Sequence, residues 1–248
     1  MVSNETAVEL RDVHKSFGPQ KVLNGVDLAV GRGKTLSVLG QSGTGKSVLL
    51  RLIIGLHKPD SGSIRLNGQE ITRLSLDALN EVRKKIGFLF QQAALYDSLT
   101  VEENVAFPMR RHNHYSVHEQ KDRARELLDR VGIRQEHWGK MPSQISGGMQ
   151  KRVALARALA LEPEILLFDE PTAGLDPITA GEIDELILRL QQQHRTTSIV
   201  VTHDLRGARA ISDQLALLHH GDVLITGTFE DLERSQNEFV ANFLQKAS

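Results

Sequence analysis

Gly40-Gln41-Ser42-Gly43-Thr44-Gly45-Lys46-Ser47 fits G-x-x-x-x-G-K-[ST] without a gap, and the segments on either side decide whether it is a phosphate-binding loop. Glycines leave no Cβ in the way, so successive backbone N–H groups can turn inward and form a nest for an anion. Lys46 adds a point charge for the β- and γ-phosphates of a nucleotide, and the Ser47 hydroxyl is a ligand for Mg²⁺. The motif needs a strand before it and a helix after it. Lys34 to Leu39 is β-rich, with apolar Leu36, Val38 and Leu39, while Ser47 to Ile54 is rich in helix-forming leucine. That helix would aim its amino-terminal partial charge at the phosphates.

The chain has 248 residues, enough to bury roughly 75% of its unfolded surface. Thirty Lys+Arg against 31 Asp+Glu give a net charge of -1, so no global positive field draws it to nucleic acid. Without cysteine it has neither disulfides nor thiolate metal sites, which suits a reducing cytosol. Met1 to Ala7 lacks the basic and apolar regions of a signal peptide. The longest apolar run, Val48 to Leu56, is broken by Arg51 and falls short of the ~20 residues that cross a bilayer; a membrane role must come through a partner.

Outward from the loop, strands are expected from Val8 to Phe17 and through Val26, Leu28 and Val30, then at Ile64/Leu66 before the hairpin signal Asn67-Gly68. A helix is expected over Leu76–Lys85 and a short strand over Ile86–Phe90. From Gln92 to about Pro163 the pattern turns helical, with capping boxes at Thr100–Glu103 and Ser116–Glu119, a stop at Gly132, and Ser146 as N-cap of a helix from Met149 to Leu161. Strands at Ile165–Phe168 and Ser198–Val201 alternate with helices at Thr179–Gln192 and Asp204–Ser212, and further strands fall at Leu215–Leu218 and Val223–Ile225. Strands alternating with helices around a phosphate loop imply a parallel-rich sheet with its ligand at the strands' carboxyl ends.

Ile165-Leu166-Leu167-Phe168-Asp169-Glu170 is an apolar strand ending in two carboxylates. Unpaired buried carboxylates are expensive, and beside a phosphate loop chemistry supplies a reason for them. Asp169 can hold the Mg²⁺ shell, and Glu170 can polarise a water for in-line attack on a γ-phosphate. The bland alternative is a solvated strand end opening a Pro171 turn.

Ser146-Gly147-Gly148-Met149 makes the match specific. With the phosphate loop, Gln91 after an apolar strand, Asp169-Glu170, Gly174-Leu175-Asp176 and Val201-Thr202-His203-Asp204 in this order, the chain resembles the ATP-binding cassette ATPases over nearly its whole length. The resemblance implies an α/β P-loop NTPase: a RecA-like mixed or parallel core over about 1–91 and 164–248, an amino-terminal antiparallel β subdomain, and a helical insert over about 92–163, all in one domain. It implies ATP and Mg²⁺ as cofactors, and a head-to-tail homodimer with nucleotide between the loop of one copy and Ser146 to Met149 of the other. By the same resemblance Gln91 senses Mg²⁺ and the attacking water, Asp176 crosses the dimer interface, His203 contacts the γ-phosphate and Phe17 stacks on adenine. Each has a plain rival: core packing for Phe17, a capped helix start for His203, an ordinary loop for Gln91.

Val48 stands where the family commonly has a hydroxyl residue, leaving its backbone N–H; Met149 stands for Gln and Ile145 for Leu. G-K-S-V, S-G-G-M and the stretch from Phe90 to Arg110 are similar to the Mla-type lipid-transport ATPases, with a smaller match at Asp176-Pro177-Ile178-Thr179. The implied partners are transmembrane permease subunits and a lipid-binding substrate protein, at the cytoplasmic face of the inner membrane. Leu95, Tyr96, Leu99 and Val101 could line the groove that grips a permease helix, or pack within the helical insert. His112, His114 and His118 suggest a metal cluster, against which a solvated basic stretch is the simpler reading. An importer or exporter of another substrate remains a rival. A soluble cassette acting on DNA or ribosomes would be expected to carry a coiled-coil insertion, a second cassette or a basic surface, and the sequence has none of these.

Overall fold

A computed structural model describes residues 6–112 and 115–247; the first five residues of the signal-peptide test and His114 of the histidine cluster lie outside them. β1 (Thr6–Phe17) and β2 (Gln20–Gly31) form a long antiparallel hairpin, because Val26, Leu28 and Val30 alternate inward along β2. β3 (Thr35–Leu39) leads through the glycine-rich loop into α1 (Lys46–Ile53). β4 (Ser61–Leu66) and β5 (Gln69–Glu70) turn at Asn67-Gly68, both at positive φ, as a two-residue hairpin turn requires. α2 (Leu76–Arg83) and β6 (Ile86–Leu89) precede three helices, α3 (Val101–His112), α4 (Val117–Arg130) and α5 (Gly147–Leu159). Both expected capping boxes form. Then come β7 (Ile165–Asp169), α6 (Pro177–His194), β8 (Thr197–Thr202), α7 (Leu205–Ile211), the hairpin β9 (Gln214–His219) and β10 (Asp222–Gly227), α8 (Phe229–Glu233) and α9 (Glu238–Ala247).

The strands form two sheets. The first, in order β2-β1-β4-β5, is antiparallel; the second, β10-β9-β3-β8-β7-β6, is parallel except for the β9–β10 pair. This is the α/β fold with a mixed sheet and an antiparallel amino-terminal sheet expected from the sequence. β3, β7 and β8 are buried along their whole length, as strands covered on both faces must be. Their pleat divides the core: Ile165 and Leu167 join the cluster beneath the antiparallel sheet and α1, whereas Leu166 and Phe168 join the one beneath α3 to α6. At roughly 1.5–3 kcal/mol for each fully buried aliphatic or Phe side chain, these clusters fix the strands rigidly.

Helix α5 begins and ends two residues earlier than expected. Ser146 caps it directly, and the chain leaves the helix for a left-handed Glu162 at φ 51°. α6 starts at Pro177 behind the Asp176 cap, a favoured place for proline. Helices α8 and α9 were not expected. Among the described residues no helix is long and apolar enough to cross a membrane.

Candidate active site

Parallel register brings the chemistry to one edge of the sheet. Leu39, the last residue of β3, pairs with Thr202 of β8, and Asp169, the last of β7, pairs with Val201. The glycine-rich loop, Asp169-Glu170 and His203 therefore leave adjacent strands at the same level, with Gln91 just beyond the end of β6. Gly40 passes so close to β9 that a Cβ there would lie 2.6 Å from the Leu218 carbonyl oxygen. Gly45, at φ 102°, would meet the Val22 carbonyl at 2.9 Å. Gly43 is also left-handed, at φ 82°, whereas Ser42 is exposed and Thr44 donates to the Gln41 carbonyl at 2.9 Å.

Lys46 is 5% exposed; its ammonium donates to the Gly40 carbonyl at 2.8 Å and the Gln41 carbonyl at 3.1 Å and lies 3.5 Å from Glu170 Oε1. Ser47 Oγ donates to Asp169 Oδ1 at 2.8 Å. Burial raises the Asp169 carboxyl above the ordinary range, with the Ser47 hydrogen bond working against it. Glu170 Oε2 receives His203 Nδ1 at 2.9 Å and the His203 backbone N–H at 3.3 Å. Both oxygens of Glu170 are thus held, one by a cation and one by an imidazole, although the residue sits at a left-handed φ of 47°.

A further buried cation was not foreseen. Lys151 of α5 donates to the backbone carbonyls of Gln91 and Glu170. Burial lowers its pKa, while Asp169 and Glu170 act in the opposite direction. Two carboxylates are thus matched by two ammonium groups. The signal was present in the sequence: Lys151 is three and four residues from Ala154 and Leu155, on the buried stripe of its helix.

The other expected residues lie at two further places. Phe17, at the tip of the β1–β2 hairpin, is 44% exposed and so is not core; the Lys15 ammonium is 5.3 Å from its ring centroid and the His57 ring meets it edge-on at 5.4 Å. Ser146 caps α5 and Asp176 caps α6, side by side: a Cβ on Gly148 would lie 2.6 Å from the Thr179 methyl, and one on Gly147 3.9 Å from Leu175. Val48 packs against the core beneath α1, Met149 and Ile145 against the helical core. Of the groove residues, Val101 is fully buried, Leu95 packs against the helical core, and Tyr96 is exposed with its ring 4.5 Å from Phe107. His118 faces Asp122 at 3.3 Å. A cavity of about 790 Å³ lies at the opposite, amino-terminal edge of β3, β7 and β8, bordered by Arg123, Glu162 and Thr196, and is remote from this chemistry.

The donor set fits Mg²⁺. Ser47 Oγ and Asp169 Oδ1 are hard oxygens already in contact, and Mg²⁺ takes few protein ligands beside phosphate and water. Among the described residues no group of three His, Cys, Asp or Glu is placed to hold a metal by itself.

A sheet carrying a phosphate loop and two strand-end carboxylates at one edge, with a capped glycine pair on a neighbouring helix, defines a nucleotide-hydrolysing cassette. The chain belongs to the ABC transporter family, whose model matches residues 23–173, and is an ATPase of that family. It is 40% identical over 245 residues to the intermembrane phospholipid transport system ATP-binding protein MlaF of Haemophilus influenzae, covering 99% of this chain and 92% of that protein. It is also 40% identical to the probable ribonucleotide transport ATP-binding protein mkl of Mycobacterium leprae, covering 96% and 68%. Against the methionine import ATP-binding protein MetN of Brucella abortus it is 42% identical, covering 86% of this chain and 58% of that one. Among solved structures it is similar to the cassette MJ0796 in a dimeric post-hydrolysis state bound to ADP and Pi, with a TM-score of 0.83, 36% identity and coverage of 89% and 98%.

Proposed function

We propose that the protein is the ATP-hydrolysing subunit of a phospholipid transporter of the Mla type, acting as a head-to-tail homodimer beneath transmembrane permease subunits. The observation that carries the lipid reading is the match to MlaF, which runs over 99% of this chain and 92% of that protein. The matches to mkl and MetN support a second reading, an importer or exporter of another substrate.

In the proposed mechanism residues 40–48 wrap the phosphates with backbone N–H groups and Lys46 supplies charge. Phe17, exposed at the hairpin tip, would stack on the adenine. Ser47, Asp169 and Gln91 would hold Mg²⁺, whose charge would stabilise the phosphates. Glu170 accepts a proton from the attacking water, oriented by His203 through the 2.9 Å contact. His203 is 60% exposed at its side chain and can reach the γ-phosphate. Ser146, Gly147, Gly148 and Met149 of a second copy close the site at a helix amino terminus, and Asp176 lies beside them at the interface. With a core over about 1–91 and 164–248 and a helical part over about 92–163, the exposed Tyr96 near the start of the helical part supports a permease contact there. Closure on ATP and reopening after hydrolysis would drive the membrane subunits, with a lipid-binding protein as a further partner, on the cytoplasmic face of the membrane.

The test is isolation of the native complex from membranes, with identification of its membrane subunit and co-purifying molecules. Phospholipid with a permease is the expected result. An amino acid or nucleotide cargo would favour the second reading, and recovery in a soluble or nucleic-acid-bound fraction would remove both.

A further inference from the structure

We propose that Lys151 is a positioning residue for hydrolysis, a single buried ammonium on α5 that holds the backbone of Gln91 and of Glu170 together, so that a shift of α5 moves both at once. The proposal rests on the roles given above to Gln91 and Glu170.

Lys151 is 5% exposed and forms no ion pair with a described side chain within 4.0 Å; its two acceptors are main-chain carbonyls beyond different strands, Gln91 two residues past the end of β6 and Glu170 directly after β7. A buried ammonium is costly, and an apolar side chain of similar length would fill the same space at lower cost if packing were the only requirement. Both carbonyls lie at or near left-handed backbone. Glu170 is left-handed, and the loop after Gln91 passes through two consecutive left-handed residues, Ala93 at φ 59° and Ala94 at φ 48°. That loop has a second anchor on the same helix, because Arg157 donates to the Ala94 carbonyl at 2.6 Å and the Ala93 carbonyl at 2.7 Å. Helix α5 thus grips the 91–94 segment at two points and the catalytic strand end at one. Four residues before Lys151, about 6 Å along the axis, lies Gly147 at the amino terminus of the same helix. A rigid helix transmits displacement at that end to Lys151 undiminished, and positional errors near 1 Å at reacting groups are worth up to about 100-fold in rate.

The experiment compares full-length wild type, Lys151→Met, Lys151→Arg and Lys151→Gln for Mg-ATP turnover, affinity for a fluorescent ATP analogue and urea stability. Expected for Lys151→Met is a fall in kcat of about 10- to 100-fold with KM and analogue affinity within about twofold, and partial recovery in Lys151→Arg. In a Gln91→Ala background the same substitution should cost less than it does in the wild type, because the part of its effect that runs through Gln91 is already lost while the hold on Glu170 remains. Wild-type kcat in Lys151→Met, a loss confined to KM, or full additivity with Gln91→Ala would each overturn the proposal. If Lys151→Met does not fold, Lys151→Gln, which keeps a donor on a shorter stem, is judged by the same criteria. A Glu170→Gln control separates the two layers. Turnover surviving in that control would remove the underlying reading; its loss alongside a fully active Lys151→Met would remove only the role of Lys151.

Discussion

Glu170 adopts a left-handed backbone that costs a non-glycine residue about 1–2 kcal/mol, and the contacts to Lys46, His203 and Lys151 make that conformation tenable. Strain of this kind persists where the surroundings over-determine it. Glu170→Gln should keep the shape and the His203 contact while losing the proton acceptor. ATP binding is therefore expected to survive while turnover falls at least ~10²-fold, read by a phosphate-release assay beside analogue binding. Lys46→Ala is expected instead to weaken ATP binding itself, and unchanged affinity would contradict the phosphate cradle. A third test concerns Asp184, whose pKa is pushed up to about 6 by burial and then by Asp204. Both carboxylates crowd Gly207, where a Cβ would come within 2.6 Å of Asp184 and 2.8 Å of Asp204. Because the unfolded value is about 3.9, the folded state binds more protons between about pH 4 and 6. Stability attributable to this group is therefore greatest below about pH 4 and declines as pH rises through 6. Asp184→Asn should stabilise the protein at pH 8 by on the order of 1 kcal/mol after allowance for solvent screening, with no gain near pH 4, in urea titrations at the two pH values.

At the scale of elements, the residues proposed to act across a dimer interface also terminate helices. Asp176 accepts the Thr179 hydroxyl and then the N–H groups of Thr179 and Ile178, which together hold its carboxyl below the usual range. Asp176→Ala should lower the urea midpoint measurably, whereas Asp176→Asn, an equally good cap, should stay close to wild type. An activity loss in the Asn variant would then report the interface and not the helix. The two carboxyl-terminal helices show where element reading fell short. Thr228 and Asp231 form a capping box with Asp in place of Glu, and Val240 and Leu244 lie one turn apart on the buried side of α9, beside Phe239 and Phe243. These signals are short, and α8 spans only five residues; such a helix is stable through packing on β9 and β10 rather than through its own propensity.

For the whole molecule, the proposed site is split between two copies, and that has a test. Lys46→Ala disables the phosphate loop, and Gly147→Asp places a negative charge where an anion would dock, at a position with room for a Cβ. Each variant alone should be nearly inactive. Mixed in equal amounts, random pairing makes half the dimers hybrid, each with one intact site, so turnover should return to about a quarter of wild type. Recovery no greater than the sum of the two variants would contradict the shared site.

Sequence by itself determined the glycine-rich loop between strand and helix, the carboxylate pair, the caps at Thr100, Ser116 and Ser146 and the order of strands and helices as far as β10, because each rests on local rules: backbone freedom at glycine, period-two burial, side-chain capping. It also exposed the family pattern, since those residues recur in a set order. Tertiary structure alone decided which strand ends lie level, that both oxygens of Glu170 are held, and that Lys151 joins Gln91 to Glu170 across 60 and 19 positions of sequence. It also showed Phe17 exposed and Val101 buried. Those facts depend on register and on which faces of the sheet the core clusters cover, and both are settled only when the whole chain has packed.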